Sequence, residues 1–479
     1  MSNVNKKKVL RELQEVVGEE FVTNRPEVMA AYSSDIFRIF TGARIPDFVV
    51  LPRTTEEVQN IVKIVNKYNI PIVPRGAGAN IASQTVAFFG GIIIDTCRMT
   101  DIQIDEDLMA ATVQPGVTHM QLRKAAEAKK LKWAYPMSSY STTVIGNLML
   151  TRETPFACRW GQNPIIALEV VLPNGEILRT GSAAFHGFDE VPFYRYTPPA
   201  DLGSIYFLTR GAFGIIVKAT VALFPMGDAS KRIYIGFDDV DSFAKAMLEI
   251  QKKDIGIFMH AYSGGNVARC LVDYEKHGFL YDIEKISRVL EEYEKQLHKY
   301  FVAIIIEGSE NRVAVEEAEA LNIISKYDGV VIKDEKILKG LDLWTDQRYA
   351  MRQWIPDGYL VPMAAWMPLK KLSQFIRETE EMYKRHGLKF DFVAHVFDRG
   401  RTCYVESDIV INPVEPEIAK KLRPIFLEYR DVRHKTKAVS IAPRELLKVK
   451  EYHRIISEIK RIIDPKNIMH PGRLPEYRP

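Results

Sequence analysis

The stretch VPRGAGANIAS, residues 73–83, sets an arginine, two glycines and an asparagine directly after an apolar strand, with no helix opening at once. Gly76 and Gly78 are free to take positive φ and keep side chains off the neighbouring amides. Successive N–H groups can then turn into one concavity that suits an anion such as a pyrophosphate. A plain tight turn is the competing reading, and the surrounding pattern has to separate the two.

That pattern is strand–helix alternation followed by paired strands. Residues 9–30 read as helical. DFVVLP (47–52) and IPIVP (70–74) read as buried strands flanking TTEEVQNIVKIVNKYN (54–69), a helix with a Thr cap, glutamates in its first turn and Val and Ile at helical spacing. GGIIIDT (90–96) and MAATVQPG (109–116) are further strands, and THMQLRKAAEAKKL (118–131) is a helix. IIALEVVLPNGEILRTG (165–181) is a hairpin turning at Pro173-Asn174-Gly175, and FGIIVKATVALFP (213–225) is one long strand closed by proline. Beyond Pro225, strand and helix alternate again over 231–254, 300–332 and 358–412, which predicts a ferredoxin-like antiparallel sheet with helices on one face. A last helix, in ELLKVKEYHRIISEIKRIIDPKNIMHPGRL, stops at Pro465. The fold class is α+β.

A length of 479 residues exceeds what one hydrophobic core supports and implies roughly two or three domains. The net charge of +4 is spread over scattered cations, which excludes a nucleic-acid stripe. Cys97, Cys158, Cys270 and Cys403 lie far apart without a CxxC pair, so neither a disulfide scaffold nor an iron–sulfur site is expected from this chain alone. The N-terminal MSNVNKKKVLRELQEVVG is a charged amphipathic helix without the apolar centre of a secretion signal. No apolar run nears the roughly 20 residues of a membrane span. A cytoplasmic location without a membrane span is expected, with peripheral docking on a membrane-associated complex left open.

Three more glycine-bearing segments favour the anion reading of 73–83. They are SSYSTTVIGNL (138–148), CRWGQNPIIALEVVLPNGEILRTGS (158–182) and LTRGAFGIIVKATVALFP (208–225). In this order and spacing, the four resemble the flavin-binding domain of the vanillyl-alcohol oxidase/para-cresol methylhydroxylase superfamily, in the branch of FAD-linked oxidases that holds glycolate oxidase flavoprotein subunits and D-lactate dehydrogenases. The resemblance returns in DPKNIMHPGRL (464–474). It implies a two-subdomain FAD-binding domain over residues 1–226, a cap over 227–445 and a C-terminal segment, 446–479, returning to the FAD domain. The loop Pro74, Arg75, Gly76, Ala77, Gly78, Ala79 and Asn80 would hold the FAD pyrophosphate through its amides. Ser138, Ser139, Thr143, Gly146 and Asn147 would line the phosphates and isoalloxazine. Gly161, Gly211, Gly214, Ile215 and Ile216 would add backbone contacts, and His470 would approach the flavin ring. The sequence departs from the family at Val144-Ile145-Gly146-Asn147, at LTRETPFA and at Arg159-Trp160-Gly161, all on the isoalloxazine side. No histidine lies in 73–95, so a dissociable, non-covalent FAD is expected, with a link through His395 or Tyr404 of the cap as the alternative.

In the cap, LWTDQRYAMRQWIP (343–356) places Arg352 where the hydroxy-acid branch keeps an arginine before Ile-Pro. A guanidinium fork binds a carboxylate bidentately. Arg348 competes for the role, and an arginine paired on a helix surface is the plain reading. HVFDRGRT (395–402) keeps His395 of the family's two histidines but has Thr402 for the second, and the later Glu-His-Gly is absent, so no metal is expected. His395 is then either a general base or a satisfied core histidine. Trp344, Trp354, Trp366 and many tyrosines also admit an aromatic substrate. The reading is an FAD-dependent dehydrogenase oxidising a small hydroxy acid, with Arg352 and His395 as catalytic residues. Electrons would pass to an iron–sulfur subunit, an electron-transferring flavoprotein or a small acceptor; a homo-oligomer is left open. The alternatives are a phenol-oxidising flavoenzyme and a non-catalytic electron-relay subunit.

Overall fold

Runs of Val and Ile that leave no polar residue on either face can only be strands buried on both sides. The first sheet is built from such runs. An edge strand β1 (Val22–Thr23) precedes β2 (Phe48–Val50), β3 (Ile72–Arg75) and β4 (Ile92–Asp95), arranged β1-β2-β4-β3. The last three are parallel and β1 is antiparallel to β2. The helix Thr55–Tyr68 crosses from β2 to β3. Thr54 caps it by accepting from the Glu57 amide at 3.1 Å, and Val58, Ile61, Val62 and Val65 fill the space over the sheet. Residues 9–30 are not one helix. Helix Lys6–Val17 stops at Gly18, φ 94°, then β1 pairs with β2, and Pro26 opens a second helix, Pro26–Ala31. The computed structural model describes residues 6–33, 44–79, 84–134, 139–151, 159, 163–187, 192–196, 200–272, 283–345, 359–411, 417–440 and 449–474. It is a mixed α+β protein.

The second sheet is antiparallel. It uses β5 (Ile102–Asp105), β6 (Ala110–Val113), β8 (Ile165–Val171), β9 (Ile177–Arg179) and β10 (Ile215–Ala222) in the order β5-β6-β10-β8-β9. The hairpin β8–β9 turns where expected, with Gly175 at φ 86°. The single strand expected over 213–225 is two. Leu223 turns its amide to the Met109 carbonyl, and β11 (Phe224–Pro225) leaves to pair with β7 (Leu131–Lys132).

A seven-stranded sheet follows. In chain order it holds β12 (Ala229–Phe237), β13 (Phe258–Ser263), β14 (Tyr300–Gly308), β15 (Val330–Val331), β16 (Tyr359–Met367), β17 (Phe392–Phe397) and β18 (Thr402–Ile411). Its spatial order is β15-β12-β14-β13-β17-β18-β16, antiparallel throughout. Alternate residues (Met259, Val302, Met363, Ala394 and Val405 among them) pack under the helices Val240–Lys252, Glu310–Lys326 and Leu372–Arg385. The opposite face meets the first half of the chain at one end. Ala134 and Phe224 share an apolar cluster with Tyr234, Phe258, Tyr262 and Phe301. Arg159 Nη2 donates to both Glu316 carboxylate oxygens, at 2.9 and 3.0 Å, and Lys132 pairs with Glu307. The arginine of Arg159-Trp160-Gly161 thus latches two domains together.

After the helix Lys450–Ile463, Asp464 gathers the chain's end. Its carboxylate accepts from the amides of Ile468 and Met469 and pairs with Lys460, whose ammonium also donates to the carbonyls of Ala212 and Met469. Residues 468–470 then pair alongside β3 through Ile72. Removing one partner of a buried pair strands the other charge, at a cost of about 3–5 kcal/mol. Asp464→Ala is therefore expected to lose about that much stability in denaturant titrations, with faster proteolysis near residue 470. A loss below about 1 kcal/mol would show that the tail is held without the carboxylate.

Candidate functional site

The chain after β3 turns at once over its own arginine. Arg75 does not reach outward. Its Nε lies 3.7 Å from an Asp95 oxygen, its guanidinium covers the Tyr32 ring at 4.4 Å, and the Tyr32 hydroxyl donates to Asp95 at 2.8 Å. Gly78 crosses directly above, at φ 67°, where a Cβ would lie 2.3 Å from the guanidinium carbon. A Cβ on Gly76 would lie 2.4 Å from the Thr143 hydroxyl, and one on Gly146 would lie 2.7 Å from the same oxygen. Thr143 therefore sits between two of the glycine segments singled out in the sequence, and Gly211 brings a third by packing on the Pro74 ring.

Backbone donors collect at this junction. Among the described residues, the amides of Gly76, Ala77, Gly78 and Ala79 make no hydrogen bond. The helix Val144–Thr151 starts beside them. Its Val144 amide is taken by the Val117 carbonyl and its Asn147 amide by Thr143, while Ile145 and Gly146 present the orphan donors of a first turn. Ser139 shapes the approach by accepting from the Thr142 amide and hydroxyl at 3.0 and 2.8 Å. Arg210 adds a cation next to Gly211. Among the described residues its Nε finds no partner, and burial pulls its pKa down. A cradle of unclaimed amides, a helix N-terminus and a buried guanidinium fits a diphosphate by chemistry and by shape.

The remaining expected positions differ in kind. Ile215 and Ile216 pair with β8 along one edge, while β6 joins the other edge only from Ala219 onward, leaving backbone open there. Gly214 packs against Val170 and Val171. Both ring nitrogens of His470 are engaged within the protein. Nδ1 donates to the Arg210 carbonyl at 2.6 Å and Nε2 accepts from Arg473 Nε at 3.0 Å. Burial lowers its pKa to about 3, so it is a neutral staple. Asn80, Ser138, Gly161, Arg348 and Arg352 lie outside the described residues.

On the cap, register assembles polar residues that lie far apart in sequence. His260 faces His395 across β13–β17, His395 faces Tyr404 across β17–β18, and Tyr404 faces Trp366 across β18–β16. The ring centroids step 4.0, 5.4 and 4.6 Å along this row. His395 Nδ1 and His260 Nε2 share a hydrogen at 2.5 Å, and His260 Nδ1 meets the Tyr262 hydroxyl at 3.2 Å. Burial lowers the His395 pKa to about 3 and drives His260 down further, helped by His395 itself, so both are neutral. The next row, Tyr262–Val393–Glu406–Ala364, carries a carboxyl that hydrogen-bonds both the Tyr404 hydroxyl and Asp408. Sequence reading missed His260, Tyr262 and Asp408. Their signal is polar residues spaced by two within apolar strands, FMHAYS and CYVESDIV. Among the described residues, no group of three His, Cys, Asp or Glu side chains gathers as metal ligands.

Ala134, in the cluster on the cap face, is five residues ahead of Ser139. Chain length alone then keeps the cradle's rim within about 17 Å of that face.

Comparison with known proteins agrees with this layout. The family described as FAD binding domain matches residues 46–181, and that described as FAD linked oxidases, C-terminal domain matches residues 228–436. The chain is 24% identical over 482 residues to the glycolate oxidase subunit GlcD of Bacillus subtilis (98% of this chain, 97% of the relative). It is 25% identical over 442 residues to a D-lactate dehydrogenase of Archaeoglobus fulgidus (89% and 90%). Among solved structures, p-cresol methylhydroxylase with substrate bound has a TM-score of 0.81 at 19% identity, covering 98% of this chain and 96% of that one. These structures share the fold.

Because Gly78 lies over the Arg75 guanidinium, Gly78→Val must push that platform aside as well as adopt a φ that a β-branched residue resists. The variant is expected to purify folded and colourless, with FAD content below a tenth of wild type by absorbance after heat release. Full FAD occupancy would return residues 75–79 to a plain turn.

Proposed function

The chain belongs to the FAD-linked oxidases, and from that footing we propose that it is a dehydrogenase that oxidises a small hydroxy acid and passes the electrons to a partner. The observation that carries the reading is the row His260–His395–Tyr404 with Glu406, on the face of the cap sheet that meets the flavin-binding half. Bound FAD supplies the acceptor for the hydride leaving the substrate carbon. The protein's own tasks are to hold the diphosphate on the amides of 76–79, to orient the substrate, and to take the hydroxyl proton. Arg352 is proposed to hold the substrate carboxylate. His395 is proposed to stand in the proton path, since with Nδ1 donating to His260 its Nε2 keeps a lone pair.

The names of similar proteins support the hydroxy-acid class: glycolate oxidase, D-lactate dehydrogenase and, in Stutzerimonas stutzeri, a D-2-hydroxyglutarate dehydrogenase at 23% identity. The next electron carrier is proposed to be an iron–sulfur subunit or an electron-transferring flavoprotein. A second reading, oxidation of a phenol, is favoured by Trp366 and Tyr404, whose tilted rings lie 4.6 Å apart beside the carboxyl.

Acid precipitation is expected to leave the yellow chromophore in the supernatant, because FAD is proposed to be non-covalent; colour in the pellet refutes this. Under anaerobic conditions, one of glycolate, D-lactate or D-2-hydroxyglutarate is expected to bleach the flavin without a partner protein. Bleaching by alkylphenols alone would select the second reading, and bleaching by neither class would leave only electron relay. Arg352→Lys is expected to slow bleaching nearly as much as Arg352→Ala, because an ammonium lacks the planar fork. Wild-type rates in both variants would remove Arg352 from the site.

A further inference from the structure

His395 cannot take the substrate proton directly, because it is sealed. It is 4% exposed, its Nδ1 is spent on His260, and Tyr404 covers it from the next strand. An imidazole there would have to become a cation with burial opposing it. The accessible acid–base group on this face is one row away. Glu406 keeps part of its surface open, as do Pro362, Ala364 and Trp366 on β16 beside it, so among the described residues this is where the face is uncovered.

Glu406 is not alone. Asp408, two residues on and on the same face, is 5% exposed and bonded to Glu406. Its Oδ1 has no hydrogen-bond partner among the described residues. The nearby cation, Arg269, acts on Asp408 through its charge and opposes part of the rise in that carboxyl's pKa. Arg269 is committed to Asp391 at 2.8 Å and to the Asn266 side chain at 3.0 Å. The other groups around the pair are Tyr404 on the same strand, Tyr262 and His395 on neighbouring strands, Asp391 ahead of β17, and Tyr383 and Tyr429 from the helix side. Behind Tyr429, the Arg433 guanidinium packs on its ring at 5.3 Å. Two carboxyls set this deep and bonded to each other do not readily ionise together. Burial pushes both pKa values up. Asp408 is pushed further, because it also feels the charge on Glu406 and gives Glu406 its hydrogen bond. The Tyr404 hydroxyl donates to Glu406 as well, so both hydrogen-bonding neighbours favour the charge on Glu406 and the proton on Asp408. A structural ion pair would not leave a buried carboxyl oxygen unpartnered next to an open surface.

We propose that Glu406, backed by Asp408, is the catalytic base that takes the hydroxyl proton of the substrate. This rests on the oxidation read above and names the group within it. The substrate O–H bond breaks and its proton bonds to a Glu406 oxygen, while the C–O single bond becomes a carbonyl. The electron pair of the C–H bond leaves with its hydrogen as hydride, for which the family's flavin is the oxidant. The carboxyl pair goes from one proton to two and from one negative charge to none, and later returns a proton through the open side of Glu406. Asp408 is a positioning residue: its donated hydrogen bond keeps Glu406 ionised where burial would protonate it. The negative pair also repels a substrate carboxylate, so the acid group of a hydroxy acid must point away from β18.

The test uses the FAD-loaded protein and whichever hydroxy acid or phenol bleaches the wild type. Glu406→Gln is expected to slow anaerobic flavin bleaching at saturating substrate by at least about 100-fold, with FAD content, melting temperature and half-saturating substrate concentration nearly unchanged. The infrared spectrum of the wild type above neutral pH is expected to show a protonated-carboxyl stretch that Asp408→Asn removes. If Glu406→Gln does not retain FAD, Glu406→Asp takes its place. It keeps the charge but draws it back by one methylene, and at least a tenfold loss is expected. A wild-type rate in whichever of these Glu406 variants is used, or no protonated-carboxyl band, overturns the proposal. A wild type that no hydroxy acid or phenol reduces overturns the functional reading and the base with it. A reducible wild type whose Glu406 variant keeps its rate overturns the base alone.

Discussion

The Arg75 guanidinium, pressed between the Tyr32 ring and Asp95, is the contact on which the cofactor cradle depends. A charge 19% exposed at the end of a buried parallel strand needs a partner, and Asp95 meets it from the neighbouring strand in register. Once the guanidinium fills the space under the turn, the chain above it has no room for a side chain at 78 and must cross with positive φ. Among the described residues, the amides of 76–79 then find no acceptor. Their availability follows from the arginine being turned inward. The same strand carries the rest of the site, since Pro74 supports Gly211 and Ile72 takes the C-terminal residues 468–470 on its free edge.

Local rules were enough for several elements of the first half. Thr54 and Thr118 cap the helices that follow them, the latter with a full capping box through Gln121, and Gly175 turns the β8–β9 hairpin. These depend on residues within one turn of each other. The misread elements depend on distant partners. Gly18 splits the expected 9–30 helix because β1 has β2 to pair with, and the strand over 213–225 divides because Leu223 finds Met109 and Phe224 finds Lys132. The glycines of the cradle were visible as a set, but their reasons were not. Gly78 avoids Arg75, Gly76 and Gly146 avoid Thr143, and Gly211 avoids Pro74, each a contact made only on folding.

The cap shows the same limit more sharply. A strand displays its polar residues at a spacing of two, so His260 with Tyr262 and Glu406 with Asp408 can be seen as intrusions in apolar runs. Which strand lies next to which is not written locally. His260 and His395 are 135 residues apart and share a hydrogen only because β13 lies against β17. His395 drew attention as the survivor of a motif, yet the sheet order walls it in with two aromatic neighbours and leaves Glu406 at the open row.

The two halves hold opposite unmet demands. Among the described residues, the flavin-binding half presents donors without acceptors: the amides at 76–79, those of Ile145 and Gly146, and the buried Arg210 Nε. Among the same residues, the cap face presents two carboxyls bonded to each other, Glu406 and Asp408, the latter with an unpartnered oxygen. The contacts described between the halves run instead through Ala134, Phe224, Lys132 and Arg159. An anion at the cradle and a hydrogen donor at β18 would complement the two. A diphosphate is such an anion, and the substrate hydroxyl of the oxidation proposed above is such a donor.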